Sequence, residues 1–468
     1  MNKKNQTLLG EMDVKKALIT LSIPATIGMI VNALYNLVDS LFVGWGAGEI
    51  AIGGLTLAFP VQMIVIAFAL MIGIGGASVF SRAYGRKDTE TMNLTVNTSI
   101  RFGFIVAAVI AIIGQIFLDD LLRFFGATDN NIGFGKDYLS IILIGITFQT
   151  ISMILNNFTR AEGRAHIAMK AMVLGTGLNI ILDPFFIFDH IDLYFITLPA
   201  LGLGVKGAAL ATIISQFTAF VYVFKRAFDE ESVLVIRLKG LFNIHFENLK
   251  DILKIGSPTF FRNSIGAILS IIVLKTISEY AGMHVDEYTT IYGIINRVIF
   301  FVFMPGFGLI QGLAPIAGYN YGARNYERLV EVVNYAMKIM FVYFILGFLF
   351  IQLGSPMIFD LFSRSNNVFI INTGAKVFRI ISMGLILVSF QITIGAVYQA
   401  FGYAYRALVV SLLRQLILFI PIWFILINVY GLIGLWYTFA AADIIAGVIC
   451  FFMFIYEMKQ LRLKAQKI

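Results

Sequence analysis

Two acidic residues lie inside long apolar stretches of the first half of the chain, Asp39 within 30–41 and Asp183 within 179–188. A carboxylate near the middle of a bilayer costs about 2.5–3.5 kcal/mol on insertion scales, so acidic residues inside membrane segments usually have a function. Two neighbouring carboxyl groups in a low-dielectric medium cannot both be charged cheaply, so such a pair can bind and release a proton near neutral pH. Together with asparagine carbonyl groups, the same oxygens could hold Na⁺ instead. Both H⁺ and Na⁺ therefore remain candidates for the ion that the site binds.

Other polar residues accompany the two acids. Asn179 precedes Asp183 by four residues, so both lie on one helix face, and Asn156 lies in the preceding apolar stretch. The alternative interpretation is a buried polar cluster that holds helices together through interhelical hydrogen bonds worth about 0.6 kcal/mol each. The residues spaced three or four apart on one face of the first apolar stretch are Asn32, Tyr35, Asn36 and Asp39.

Composition places these residues in a membrane protein. Of the 468 residues, 59% are hydrophobic and 13% charged, and the mean hydropathy is +0.86. Soluble domains carry about 25% charged residues. Continuous apolar runs predict about twelve membrane-spanning α-helices and exclude a β-barrel, whose strands would alternate. The predicted spans are 17–44, 52–80, 94–118, 138–159, 168–188, 200–224, 256–280, 290–317, 331–354, 376–401, 407–429 and 433–456.

Lysine and arginine fall mainly in the loops on one side of these spans, and the positive-inside rule puts that side and both termini in the cytoplasm. The net charge of +8 therefore indicates topology and not nucleic-acid binding. The longest polar connection divides the chain near its middle. The predicted parts are a six-helix bundle at 1–224, a cytoplasmic connection at 225–254 and a second six-helix bundle at 255–468.

The two halves repeat in sequence. Leu21-Ser-Ile-Pro24 matches Ile255-Gly-Ser-Pro258, and Tyr84-Gly85 matches Tyr321-Gly322, at nearly constant offset. Because six helices is an even number, both copies enter the membrane the same way round, as in transporters whose substrate path lies between two halves. The sequence thus predicts an all-α polytopic protein with two six-helix repeats and a central cleft.

The repeat supplies an internal control for the acids. Asp39 corresponds to about Val273, and Asp183 to about Ile420. Since one copy of the fold manages without carboxylates at these positions, the scaffold does not require them, and a functional role is the favoured interpretation.

Several strings occur in order along the chain and together resemble the multidrug and toxin extrusion (MATE) family, most of all its bacterial branch that extrudes cationic drugs. They are VDSLFVG at 38–44, NIILDP at 179–184, GVKGAALAT at 204–212, GSPTFFRN at 256–263, MPGFG at 304–308, QGLAP at 311–315 and GYNYGA at 318–323.

The resemblance implies a multi-pass protein of the bacterial cytoplasmic membrane that contributes to antibiotic resistance by antiport, exchanging lipophilic or cationic compounds for H⁺ or Na⁺. It implies no enzyme activity and no cofactor, and we expect a monomer in the lipid bilayer with small organic cations or drugs as partners. In the family, positions matching six residues of this chain form a proton or cation site in the first half. They are Asp39, Tyr138, Asn156, Asn179, Asp183 and Thr212.

The second half offers fewer candidates. Asp443 is its only acid deep in a span and could bind cations or accept from Arg414. Some relatives carry acids on the seventh and tenth helices, where this chain has Arg262 and no acid near Gln391, which weakens a second sodium site. Candidate substrate contacts or second-half polar groups are Asn32, Tyr35, Asn36, Arg262, Gln311 and Asp443.

Other function classes find little support. The four dispersed histidines form no metal-ligand motif, no Walker sequence exists, and the lone Cys450 fits a small buried side chain. The favoured function is a secondary active drug antiporter that works by rocking of the two halves. The main alternative is a flippase for a lipid-linked oligosaccharide from the same broader superfamily, which would need a wide cationic cavity.

Overall fold

The computed structural model describes residues 3–47, 49–125, 127, 129, 131–193, 196–236, 244–362 and 367–467. Within them, twelve helical segments are long and apolar enough to cross a membrane, which confirms the predicted fold class. The helices are α1 (Lys3–Gly10), α2 (Val14–Ala47), α3 (Glu49–Gly85), α4 (Thr89–Ile116), α5 (Leu118–Phe124), α6 (Ile132–Ala161), α7 (Ala165–Ile187), α8 (Val205–Ala227), α9 (Phe246–Tyr280), α10 (Val285–Gly322), α11 (Tyr326–Phe362), α12 (Val368–Ile381), α13 (Leu385–Phe401), α14 (Ala404–Leu412), α15 (Phe419–Tyr430) and α16 (Leu432–Ala465).

Two of the spans are interrupted helices. A 3₁₀ turn, Ser382–Gly384, joins α12 to α13, and a π-helical turn, Leu413–Leu418, joins α14 to α15. The spans of the first lobe are α2, α3, α4, α6, α7 and α8, and the second lobe contains the spans from α9 to α16. The repeat is visible in local geometry, since Lys87 and Arg324 both adopt positive φ, 60° and 59°, in the turns after α3 and α10.

The connection between the lobes is shorter than the predicted 225–254. Helix α8 continues to Ala227, and α9 already begins at Phe246, where the His245 side chain accepts from the Asn248 backbone N–H. The apolar run underestimates α9 because its first turns are polar and extend the helix beyond the apolar region. Residues 237–243 of the connection lie outside the described part of the chain.

The bundle has two distinguishable ends. A short antiparallel hairpin, β1 (His190–Leu193) with β2 (Ile196–Pro199), joins α7 to α8. We call this end of the bundle the hairpin side. The opposite end, where α2 begins and α16 ends, is called the terminal side.

The lobes meet along two equivalent helix crossings in the terminal-side half. Helix α3 approaches α9 so closely that a Cβ on Gly75 would overlap the Ile252 carbonyl oxygen, and one on Gly256 would overlap that of Met71. Helix α10 approaches α2 in the same way, with Gly312 against Ser22. Because Gly75 and Gly312 are equivalent in the repeat, as are Ser22 and Gly256, the two crossings are related by its pseudo-symmetry.

A third crossing lies between them, where α3 and α10 meet at their terminal-side ends. A Cβ on Gly85 would overlap the Tyr319 carbonyl oxygen, and one on Gly322 would overlap that of Arg82. The Arg82 guanidinium also donates to the Phe401 carbonyl oxygen at 2.8 Å. We call these three crossings the seam.

The seam is held by packing and by hydrogen bonds to neutral groups. Near it, the Asn320 amide donates to the Leu9 carbonyl oxygen at 2.9 Å, and Asn248 of α9 donates to the Thr95 hydroxyl of α4 at 3.0 Å. Between residues that the structure describes, no ion pair joins one lobe to the other.

The start of the connection is fastened to the first lobe by a buried cluster on the terminal side. Glu162, which is fully buried after α6, accepts from Arg164 at 3.2 Å, from the Ser232 hydroxyl at 2.8 Å and from the Val233 N–H at 3.1 Å. Arg164 also donates to Asp229 at 2.8 Å. Burial raises the pKa of Glu162 to about 7, although the hydrogen bonds and charges of these partners favour the charged carboxylate and lower the pKa.

Glu162→Gln is expected to flatten the dependence of unfolding on pH. A carboxyl group whose pKa is raised in the folded protein stabilises the folded state fully below its unfolded pKa, here 4.5. This contribution is lost as the pH rises through the folded pKa, here about 7. The contribution is at most on the order of 3 kcal/mol. Thermal unfolding of the purified protein between pH 5 and 8 measures it, with exposed Glu247→Gln as control. Equal pH slopes in wild type and Glu162→Gln would contradict the assignment.

Candidate functional site

Five side chains predicted for the cation site meet between helices of the first lobe. Each lies within about two turns of the hairpin-side end of its helix, and all are buried, with Asp39 8% and Asp183 0% exposed. They are Asp39 on α2, Tyr138 on α6, Asn179 and Asp183 on α7, and Thr212 on α8.

The two acids lie together. The carboxyl groups of Asp39 and Asp183 are within hydrogen-bonding distance of each other, and we call them the acid pair. The Asn179 amide donates to Asp183 Oδ1 at 3.0 Å and reaches the Thr212 hydroxyl at 3.5 Å. Because a carboxylate has only acceptors, a hydrogen bond between the two carboxyl groups needs one proton. The geometry therefore suits a pair that shares a proton.

The oxygens of the site also suit a cation in place of the shared proton. Among the described residues, no donor reaches Asp39 Oδ1, Asp183 Oδ2 or the amide oxygen of Asn179, although all three atoms are buried. Carboxylate and amide oxygens are the ligands that hard cations prefer. The chemistry of the site thus accommodates a proton or Na⁺.

One member of the site was missed by the sequence reasoning. The Tyr138 hydroxyl hydrogen-bonds the Thr212 hydroxyl and the side chain of Gln62 on α3. The available signal was an amide within the long apolar span Leu57–Gly85, two residues after Pro60. Gln62 connects α3 to the network, so the site draws on five of the six spans of the first lobe.

Asn156 is not part of this cluster. It follows Tyr138 by 18 residues on α6, which corresponds to about 27 Å along the helix axis. Asn156 is buried near the terminal-side end of α6, and no donor reaches its side-chain oxygen among the described residues. Placing Asn156 at the cation site therefore requires correction, because five helical turns separate it from Tyr138.

The polar stripe of α2 does not gather around the acid pair as a whole. Asn32 is exposed. The side chains of Tyr35 and Asn36 lie outside what the structure describes.

The second-half candidates occupy separate places. Asp443 on α16 forms an ion pair with Arg414, which explains how the acid is tolerated deep in a span. Gln311 on α10 donates to the Met29 sulfur at 3.0 Å across the lobes. Arg262 on α9 lies over the Phe307 ring. These residues belong to the second lobe and its boundary with α2, whereas the acid pair lies within the first lobe.

Comparisons with known proteins match this architecture. The profile of the MatE family matches residues 24–185 and 258–425, one match in each lobe. The chain is 26% identical over 452 residues to the multidrug export protein MepA of Staphylococcus haemolyticus, covering 96% of this chain and 95% of the relative. It is also 26% identical over 431 residues to MepA of Staphylococcus aureus strain MSSA476, covering 92% of this chain and 91% of the relative.

Solved structures agree over the whole length. The fold superposes with a TM-score of 0.87 and 29% identity on a multidrug resistance MATE family transporter of the MOP superfamily in its outward-facing conformation, covering 99% of both chains. A MOP superfamily transporter from Pyrococcus furiosus matches with a TM-score of 0.86 at 29% identity, covering 98% of this chain and 99% of that one. Because the profile matches cover most of both lobes, the chain belongs to the MatE family of multidrug and toxin extrusion transporters.

Proposed function

We propose that the protein is a secondary active antiporter that exports lipophilic, often cationic compounds in exchange for H⁺ or Na⁺. The observation that carries this proposal is the acid pair, because two buried, adjacent carboxyl groups in one lobe are what ion coupling needs and what the scaffold does not require. The names of the MepA relatives support export of drugs. Each elementary charge that moves down 100 mV supplies about 2.3 kcal/mol.

The transport cycle is rocking of one lobe against the other, with the seam as the contact that opens and closes. The seam and the acid pair lie in opposite halves of the bundle, but α2 contributes to both, through Ser22 and Asp39. Pro24 lies two residues after Ser22 and removes a backbone hydrogen bond there. Ion binding at Asp39 is thereby transmitted along α2 to the seam.

Dye efflux from inverted vesicles tests the function. An imposed pH gradient and an imposed Na⁺ gradient are applied separately, and transport of an organic dye cation is followed by fluorescence. We expect one gradient to drive transport and the double variant Asp39→Asn/Asp183→Asn to abolish it. Transport by the wild type that does not depend on either gradient would reject the antiporter and leave the acid pair without a role in coupling.

The membrane orientation gives a second test. The excess of Lys and Arg in the loops of the terminal side supports a cytoplasmic position for that side. Glu247, exposed at the start of α9, replaced by cysteine should react with a membrane-impermeant thiol reagent in inverted vesicles and not in intact cells. The native Cys450 is buried and gives the background. Reaction in intact cells would reverse the orientation.

A lipid-linked oligosaccharide flippase remains the second candidate function, because Arg262 near the middle of α9 has no carboxylate partner among the described residues. A flippase would bind a phosphorylated isoprenoid lipid more tightly than a dye cation. Binding of both ligands by the purified protein separates the two functions.

A further inference from the structure

A groove opens at the terminal-side end of the second lobe, where α13 and α14 meet α16. Its volume is about 390 Å³, within the range of small-molecule pockets. The side chains that line it are Tyr398 on α13, Arg406 on α14, and Phe452, Met453 and Tyr456 on α16. Tyr398 is buried, whereas Phe452 and Tyr456 are 64% and 54% exposed. The groove therefore has a closed floor and an open aromatic edge.

One stripe of α16 changes from aromatic to basic along this edge. Phe452, Tyr456 and Lys459 are spaced four and three residues apart and are all exposed, so they share one face of the helix. Phe452 lies about 10 Å before Lys459 along the helix axis. Aromatic side chains followed by a basic one are typical of a helix that passes from the apolar core of a bilayer into the headgroup layer. The groove thus spans that boundary.

Arg406 is fixed in position beside the groove. Its guanidinium donates to the carboxylate of Glu457 on α16 at 2.9 Å, and the Glu457 side chain is only 2% exposed. The guanidinium also lies over the rings of Tyr398 and Tyr403, at 5.7 Å and 4.9 Å from their centroids. The Arg406 side chain is nevertheless 46% exposed. Because a guanidinium carries five N–H donors, Arg406 can serve a ligand in the groove while it stays bonded to Glu457.

The last turns of α16 add positive charge next to the groove. After Glu457 the chain carries four basic side chains and no acidic one, and the basic residues are Lys459, Arg462, Lys464 and Lys467. Between residues that the structure describes, none of these four forms an ion pair. Glu457 is already paired with Arg406. The charge of this corner therefore complements an anion.

The repeat again supplies a control. Counted from the starts of α7 and α14, Arg406 corresponds to Ile167, which is fully buried. Counted from the starts of α8 and α16, Lys459 corresponds to Ser232, which donates to Glu162. Since one copy of the fold has no cation at either position, the scaffold does not require Arg406 and Lys459.

We propose that the groove binds an anionic phospholipid from the leaflet on the terminal side, with the headgroup phosphate at Arg406 and Lys459 and an acyl chain along Phe452 and Met453. The inference is independent of the proposed export function. A guanidinium binds two phosphate oxygens through parallel hydrogen bonds, and a lysine adds a point charge. A zwitterionic phospholipid carries the same phosphate, but its ammonium group would be repelled by the basic end of α16.

Two lipids that differ only in the headgroup test the site. Phosphatidylglycerol and phosphatidylcholine, each with the same fluorophore on one acyl chain, are titrated against the purified full-length protein in micelles of a neutral detergent. We expect wild type to bind phosphatidylglycerol at least tenfold more tightly than phosphatidylcholine, which corresponds to about 1.4 kcal/mol. The preference should shrink as salt is added, because ions screen exposed charges.

Two variants remove the cations of the site. Lys459→Gln changes an exposed side chain and should lower the preference about threefold. Arg406→Gln/Glu457→Gln removes both members of the ion pair, since Arg406→Gln alone would leave a buried carboxylate without its partner. The double variant should also lower the preference. Lys225→Gln is the matched control, because it removes one exposed charge from the terminal-side end of α8 in the first lobe.

Equal binding of the two lipids by wild type would overturn the inference. So would a preference in Lys459→Gln that is no smaller than in Lys225→Gln, and this comparison does not depend on the folding of the double variant. Inorganic phosphate, added at constant ionic strength, separates a lipid from a free anion. Displacement of phosphatidylglycerol by inorganic phosphate as readily as by its unlabelled form would assign the groove to free phosphate and reject a lipid.

Discussion

Asp39→Asn and Asp183→Asn are each expected to abolish gradient-driven efflux while the protein still folds and binds drug. Asparagine keeps the size and hydrogen-bonding capacity of the side chain but removes titration. If the acid pair only held α2 against α7, the amide would substitute with little loss, since amides bond adequately between membrane helices. If the pair carries the coupling ion, efflux under an imposed gradient should fall at least tenfold, because a step worth about 2.3 kcal/mol per charge and 100 mV is lost.

The pH profile separates a proton from Na⁺. With H⁺ as the coupling ion, the residual transport of each variant should lose its dependence on pH between about 5 and 8, where a buried, paired carboxyl group titrates. With Na⁺, each variant should lose its response to a sodium gradient. The controls are Val273→Asn and Ile420→Asn, which place an amide at the equivalent positions of the second lobe and should affect stability more than coupling. Normal efflux and an unchanged pH profile in both acid-pair variants would move the search to Asp443.

Gly75→Ala and Gly256→Ala are expected to open the seam. In each case one added carbon overlaps a backbone carbonyl oxygen of the opposite lobe, and backbone atoms cannot turn aside as a flexible side chain can. Overpacking of this kind costs about 1–3 kcal/mol, which shifts an equilibrium between two states by about 5- to 150-fold. The state in which the lobes separate on the terminal side should therefore become populated, and efflux should fall.

A cysteine at Ser78 reports on the seam, because the Ser78 hydroxyl donates to the Gln399 carbonyl oxygen of the second lobe and is buried there. Its rate of reaction with a small thiol reagent should rise in the Gly75→Ala and Gly256→Ala backgrounds. Gly293→Ala is the control, since Gly293 on α10 has open space where the carbon would be added. A rate in Gly75→Ala no higher than in Gly293→Ala would show that the crossing tolerates a side chain and does not control opening.

The sequence predicted the acid pair because a carboxyl group in an apolar span is energetically costly and therefore conspicuous. It did not reveal Gln62, because a neutral amide in a span costs little and has no strict spacing. Asn156 was grouped with the cation site although 18 residues of α6 separate it from Tyr138, since residue type and resemblance do not give the position of a residue along a helix. The start of α9 was predicted ten residues too late for a related reason: counting apolar residues detects the apolar part of a helix and overlooks the polar turns that precede it.

The repeat was readable from short matched strings, but the seam was not. Gly75 and Gly312 matched each other in the sequence, yet nothing in the strings indicated that Gly75 would contact α9 or that Gly312 would contact α2. Glycine in a membrane helix is common. Only the assembled lobes distinguish Gly75, where an added Cβ would overlap a backbone carbonyl oxygen, from Gly293, where it would meet open space.

The absence of ion pairs across the seam, between the residues that the structure describes, has a consequence for turnover. Leaving one charge of a buried ion pair buried without its partner costs about 3–5 kcal/mol, which exceeds the roughly 2.3 kcal/mol that one charge gains from 100 mV. A hydrogen bond contributes about 0.5–1.5 kcal/mol between neutral groups and about 1.5–3 kcal/mol when one group is charged, as where Arg82 donates to the Phe401 carbonyl oxygen, and water replaces it when the surfaces part. In the proposed rocking cycle, a closure built from glycine contacts and such hydrogen bonds can therefore be broken and remade by a single ion, whereas a buried salt-bridged closure would hold the protein in one state.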